Sequence, residues 1–137
     1  GSGLLARKTL VTGASGGVGL FACQLAHMAG AQVVALIRRA EHTDLVQNAG
    51  AEQAVISADG AAAKAFGPYR LIIESVGDRV LANALGMLAP DGVCVSFGAT
   101  AGAEVTFNLW SLVGVGGASV YGLTVFNELK REPAAVG

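Results

Sequence analysis

The stretch VTGASGGVG, residues 11–19, decides the fold. Its glycines satisfy two patterns at once. From Thr12 it reads T-G-x-x-x-G-x-G; from Gly13 it carries a glycine at every third position, Gly13, Gly16 and Gly19. On one side lies KTLVT, residues 8–12, an apolar run with the length of a buried strand. On the other lies GVGLFACQLAHMAG, residues 17–30, a helical pattern rich in small residues. Glycines between a strand and a helix open backbone angles closed to other residues and let the chain approach a pyrophosphate closely. The helix amino end, here Gly17, Val18 and Gly19, offers unpaired N–H groups and a partial positive charge. Gly19, Ala22, Cys23 and Ala26 are small enough to seat that helix close on a sheet.

The same alternation continues outward. QVVALI (32–37), QAVIS (53–57), YRLIIES (69–75), GVCVSFG (92–98) and ASVYGLTVF (118–126) read as further strands. Between them, HTDLVQNAG (42–50) reads as a short helix capped by Thr43 and closed by Gly50. DGAAAKAF (59–66) is a weak helix, DRVLANALGMLAP (78–90) a helix stopped by Pro90, and NLWSLVG (108–114) a short helical piece. Strands alternating with helices at these spacings predict βαβ units and a parallel sheet. Near-continuous apolar strands fit a sheet covered on both faces. The expected fold is a Rossmann-type doubly wound α/β sheet of about six strands in the order 3-2-1-4-5-6. Ligands would then gather at the carboxyl ends of the strands.

The chain has 137 residues, 53% hydrophobic and 14% charged, which fits one ordered domain and argues against a disordered chain. A net charge of −1 gives no field that would draw nucleic acid or a membrane surface. No apolar run reaches the length of a bilayer span. The two cysteines, Cys23 and Cys94, sit in apolar runs without a C-x-x-C pair, so inert buried thiols in a reducing cytoplasm are expected. Residues 1–3 read as a tail, with Gly1 and Ser2 a remnant of cloning, and residues 4–131 as the dinucleotide-binding domain.

The T-G-x-x-x-G-x-G reading resembles short-chain dehydrogenases, whose catalysis uses a Tyr with a Lys four residues later. Here Tyr69 is followed at that spacing by Ile73, and Tyr121 by Val125. QNAG (47–50) looks like that family's N-A-G motif but falls at the end of the second helix, where it acts as a helix stop. The glycine at every third residue resembles the medium-chain dehydrogenase/reductase superfamily, in its quinone oxidoreductase-like, zinc-type alcohol dehydrogenase-like branch. Several further motifs carry that resemblance in order: LIIESVGD (71–78), LAPDGVCVSFGATAG (88–102) and VYGLTVFNEL (120–129). It covers roughly residues 8–129. Ala14 stands for the first glycine of the dehydrogenase pattern, Glu74 for a usual Asp, and Ala99 for a common Asn.

The resemblance implies that Ala14, Ser15, Gly16, Gly17 and Val18 contact the pyrophosphate. It implies that Ser75, Val76 and Gly77 lie under the nicotinamide side, with Phe97 and Gly98 lining the nicotinamide pocket. The sequence selects between cofactors at the end of the second strand. An NAD site offers an acidic residue there, about twenty residues past the loop. This chain has LIRRAEH (36–42) instead. Arg38 and Arg39 could grip a 2′-phosphate through paired hydrogen bonds, which points to NADP(H). Glu41 is the competing reading, as a ribose partner, and His42 reads as a bystander.

The chain supplies binding and orientation rather than an acid or base, and no catalytic residue is assigned to it. The resemblance implies a small-molecule acceptor, a quinone, enone or carbonyl, in a pocket built mainly by a catalytic substrate domain outside this sequence. Cys23 and His27 share one helix face, but two ligands do not make a zinc site, and no metal is expected. G-x-S-x-G occurs at residues 13–17, yet no His follows the later strands to serve a hydrolase. Two other readings stay open: a non-catalytic dinucleotide-sensing or dimerisation module, and the enoyl reductase portion of a larger synthase. The apolar sixth strand, read as a sheet edge, predicts a homodimer joined along it.

Overall fold

The computed structural model describes residues 7–122. Six parallel strands form one sheet: β1 (Lys8–Val11), β2 (Gln32–Ile37), β3 (Gln53–Ile56), β4 (Tyr69–Glu74), β5 (Leu88–Ser96) and β6 (Ser119–Gly122). Their order is β3-β2-β1-β4-β5-β6, as the strand–helix alternation predicts. Four α-helices accompany them: α1 (Gly17–Met28), α2 (Thr43–Asn48), α3 (Asp78–Leu85) and α4 (Trp110–Val113). The rest of the 118–126 run and of the VYGLTVFNEL motif lie outside the described residues, as does the expected amino-terminal tail.

Strand side chains alternate between two cores, which is why the strands read as continuous apolar runs. Val11, Val33, Ala35 and Ile37 pack with Ala22, Cys23 and Ala26 of α1 and Val46 of α2. Leu10, Val34, Leu36, Ile72 and Cys94 point the other way, to Val80, Ala84 and Leu85 of α3. The small residues of α1 behave as expected, with Gly19, Ala22, Cys23 and Ala26 as its buried face. Both thiols are buried, and burial pushes Cys23 up to about 11 and, with the Glu74 charge adding to it, Cys94 up to about 12.

Three expectations change. The 78–90 helix ends at Leu85, with Gly86 at its cap. Met87 leaves the helix because its carbonyl accepts the Tyr69 N–H at 2.8 Å, and Leu88 begins β5. Pro90 therefore stops no helix. It sits in an outward bulge where the register jumps from Tyr69↔Leu88 to Leu71↔Val93, a place that tolerates a missing N–H. Thr43 is the first residue of α2, not its cap; a 3₁₀ turn at Ala40–His42 leads in, and no side chain caps the helix. The weak helix at 59–66 is a 3₁₀ segment, Ala61–Phe66, held by Asp59, whose carboxylate accepts the Ala61 N–H at 3.0 Å.

Candidate functional site

The carboxyl ends of β1, β2, β4 and β5 open on a cleft with two cavities. The first, about 390 Å³, is lined by Gly13, Ser15, Arg38, Arg39, His42 and Val76, with Leu36, Ile37, Ser57, Ala58 and Val80. The second, about 410 Å³, is lined by Gly13, Ser15 through Gly19, Ser75, Phe97, Gly98 and Thr100. Gly13 and Ser15 belong to both, so the two cavities meet over the glycine loop. This is the crevice where the strand order reverses, β1 pairing with β2 on one side and β4 on the other.

The glycines of the loop do different work. Gly13 has φ +55°, and a Cβ there would lie 2.5 Å from Ser75 Oγ. At Gly19 a Cβ would overlap the Gly13 carbonyl oxygen and come within 2.7 Å of Ala14 Cα. These two are demanded by the protein's own packing. A Cβ on Gly17 would meet nothing within 4 Å, and one on Gly16 would meet only the Gly13 oxygen, at 3.5 Å. Nothing in the fold demands glycine at position 17, and that position faces the second cavity.

The backbone donors sort the same way. Ala14 is fully buried and its N–H is spent on the Leu36 carbonyl at 3.2 Å; the Gly16 N–H is spent on Gly13 at 3.1 Å. Both brace the loop. Among the described residues the N–H groups of Ser15, Gly17, Val18 and Gly19 have no protein acceptor. They remain for an anion at the amino end of a twelve-residue helix that has no acidic side chain in its first turn.

Arg38 and Arg39 follow β2 directly and are exposed at the rim of the first cavity. Glu41 stands 3.7 Å from Arg39 in a pair exposed by about 70% on each side. Such a pair is weakly held, so Arg39 is not locked away from a ligand.

Ser75, Val76 and Gly77 come to the cleft from the end of β4. Ser75 lines the second cavity and Val76 the first, while Gly77, with φ +75°, turns the chain into α3 and lines neither. The loop after β5 is laced to this turn: Thr100 N–H donates to Ser75 O at 3.2 Å, Ala101 N–H to Val76 O at 2.8 Å, and Asp78 N–H to Gly102 O at 3.0 Å. Phe97 and Gly98 are thereby held over Ser75, and a Cβ on Gly98 would sit 3.0 Å from the Ser75 carbonyl oxygen.

Two residues that sequence reasoning did not assign to the site organise it from below. Glu74 is fully buried, and its carboxylate accepts the Gly77 N–H at 2.6 Å, the Val76 N–H at 3.1 Å and the Thr12 hydroxyl at 2.5 Å. Thr12 Oγ1 in turn accepts the Ser75 N–H at 3.1 Å. Glu74 stood out in the sequence only as a departure from Asp, and Thr12 only as the residue before the first glycine.

A doubly wound sheet with a bare, amide-rich helix terminus at its switch point defines a dinucleotide-binding domain. The sequence comparisons make the class specific. The family model described as zinc-binding dehydrogenase matches residues 17–136, and the chain belongs to that family. It corresponds to the NAD(P)-binding domain of the family's quinone oxidoreductase-like members. A quinone oxidoreductase of Pseudomonas aeruginosa is 32% identical over 102 residues, which is 70% of this chain and 31% of that protein. The yhdH oxidoreductase of Salmonella enterica, solved in complex with NADP, is 28% identical with a TM-score of 0.75, over 85% of this chain and 36% of that one. The Bacillus subtilis protein yhfP, solved with NAD, is 28% identical with a TM-score of 0.76, over 87% and 37%. The chain thus spans about a third of the length of these relatives.

Zinc does not fit the described residues: no three His, Cys, Asp or Glu side chains converge among them, and Cys23 lies on the buried face of α1. A nicotinamide dinucleotide does fit, because the loop presents free N–H groups and a backbone position at Gly17 open to close approach.

Proposed function

We propose that residues 4–131 are the NADP(H)-binding domain of a reductase that delivers hydride to a quinone, enone or activated carbonyl. The observation that carries this reading is the open backbone at Gly17 and Val18 beside the Arg38–Arg39 rim, in one continuous cleft. The free N–H groups of Ser15, Gly17 and Val18 hold the pyrophosphate, with Ala14 and Gly16 bracing the loop beneath. Arg38 and Arg39 hold the 2′-phosphate. Ser75, Phe97 and Gly98 border the nicotinamide side; Val76 and Gly77, which the resemblance places there too, differ, Val76 lining the Arg38–Arg39 cavity and Gly77 setting the turn that presents them. When bound, the cofactor would supply a hydride from nicotinamide C4. The chain would hold the nicotinamide side at Ser75, Phe97 and Gly98, for an acceptor enclosed by a second domain. No side chain of this chain is assigned as acid or base.

The Salmonella relative, solved with NADP, supports the NADP(H) reading, and the Bacillus one, solved with NAD, makes the choice between the two the point to test. The deciding experiment is titration of the chain with NADPH and with NADH, followed by nicotinamide fluorescence. NADPH should bind more tightly, and Arg38→Ala with Arg39→Ala should abolish the preference. Equal affinities in the wild type would overturn the arginine assignment; binding of neither would overturn the cofactor reading.

A further inference from the structure

We propose that Thr12 and Glu74 are positioning residues for the dinucleotide, a buried latch that couples the phosphate loop to the nicotinamide-side turn. The inference rests on the cofactor reading above and adds two residues that touch no ligand. Thr12 ends the run into the glycine loop, and Glu74 ends β4, 62 positions later. The carboxylate joins them. It takes one donor from Thr12 and two backbone donors from its own succeeding turn, at Val76 and Gly77. Thr12 closes the ring by accepting from Ser75, and the Ser75 hydroxyl donates to the Thr12 carbonyl at 3.4 Å.

A buried carboxylate without a cation is costly unless its oxygens are saturated with donors. Here every donor but one belongs to the turn that lines the cleft. The carboxylate therefore fixes the path of residues 75–77 and places the Ser75 side chain against Gly13, where both cavities meet. The glycine loop has its own braces at Ala14 and Gly16, but among the described residues the 75–77 turn is tied to β1 through Thr12 alone, apart from the ladder bond from Thr12 N–H to Ile73 O. Loosening the latch leaves residues 75–77 bound to the loop after β5, through Thr100, Ala101 and Gly102, but frees that wall to shift relative to the glycine loop while the sheet stays intact.

The test compares Thr12→Val with Tyr69→Phe in the 137-residue chain. Val keeps the shape of Thr and removes only the hydroxyl. Tyr69→Phe removes another buried hydrogen bond, from the Tyr69 hydroxyl to Ala63 O at 2.6 Å, at the start of β4, the strand that Glu74 ends. Both variants should lose a similar amount of thermal stability. Only Thr12→Val should weaken NADPH binding, on the order of tenfold, and Thr12→Ser should restore it to within about twofold. Thr12→Val binding within about twofold of wild type, or Tyr69→Phe weakening binding as much, would overturn the latch. Failure of the wild type to bind NADPH would instead overturn the cofactor reading, and the latch with it.

Discussion

Alanine at Gly17 and at Gly19 should separate binding from folding within a single turn of helix. The two residues lie two positions apart in α1, and neither has a positive φ. At Gly17 the added methyl meets nothing within 4 Å. The unfolded chain loses freedom and the folded one gains no clash, so Gly17→Ala should stabilise by about 0.5 kcal/mol. That corresponds to a rise of roughly 2 °C in melting temperature. At Gly19 the methyl lands on the Gly13 carbonyl and within 3.0 Å of the Ala14 carbonyl carbon, all backbone atoms without a rotamer to yield. Overpacking of that kind should cost about 3 kcal/mol, a fall on the order of 10 °C. NADPH affinity should reverse the order of harm. Gly17→Ala, stable and folded, should bind at least about tenfold more weakly, because the methyl fills space that the pyrophosphate needs. Thermal unfolding and fluorescence titration on the same samples measure both quantities. A Gly17→Ala variant that binds as wild type would show that no phosphate approaches this backbone, and a Gly19→Ala variant of unchanged stability would refute the packing argument.

Two further outcomes follow from burial and from the sheet edge. Burial pushes Tyr69 up to about 12, Cys23 up to about 11 and Cys94 up to about 12, all above their ordinary values of 10, 9 and 9. The folded chain then holds protons that the unfolded chain releases, so stability should be full below pH 9 and fall as pH rises from there towards 12. Denaturant melts across that range check the sign, and a thiol reagent at pH 8 should label neither cysteine until the chain unfolds; a rise in stability, or labelling of the native protein, would contradict it. Among the described residues β6 is paired only with β5, and Val120 and Tyr121 are 45% and 59% exposed on it. We expect a dimer through this edge, measured as a solution mass of two chains that Tyr121→Lys reduces to one; a monomeric wild type would remove the edge from consideration.

The strand order was legible because short, largely apolar runs alternate with helical patterns, most clearly at β2, which is buried at every position after Gln32. The glycine loop was legible because its spacing serves packing at Gly13 and Gly19 and leaves Gly17 open. The start of β5 was not. MLAP continues the helical pattern of α3 in sequence, and only the pairing of Met87 with Tyr69 draws it into the sheet. The resemblance places Ala14 against the pyrophosphate, yet its N–H is consumed by Leu36 on the neighbouring strand, a partner that local spacing cannot reveal. The Thr12–Glu74 pair was invisible for the same reason. A glutamate within LIIESVG carries no mark of burial until β1 and β4 lie side by side.

The meeting of the two cavities at Gly13 and Ser15 makes the domain a receptor for a bivalent ligand. Each half of a dinucleotide would engage one cavity, and the diphosphate is the tether between them. A short tether raises the effective concentration of the second half to the millimolar range once the first is seated. Mononucleotides matching either half should therefore bind far more weakly than their covalent union, even with every contact preserved. A synthetic ligand grown from one cavity needs to cross only the width of this shared wall to gain the same advantage.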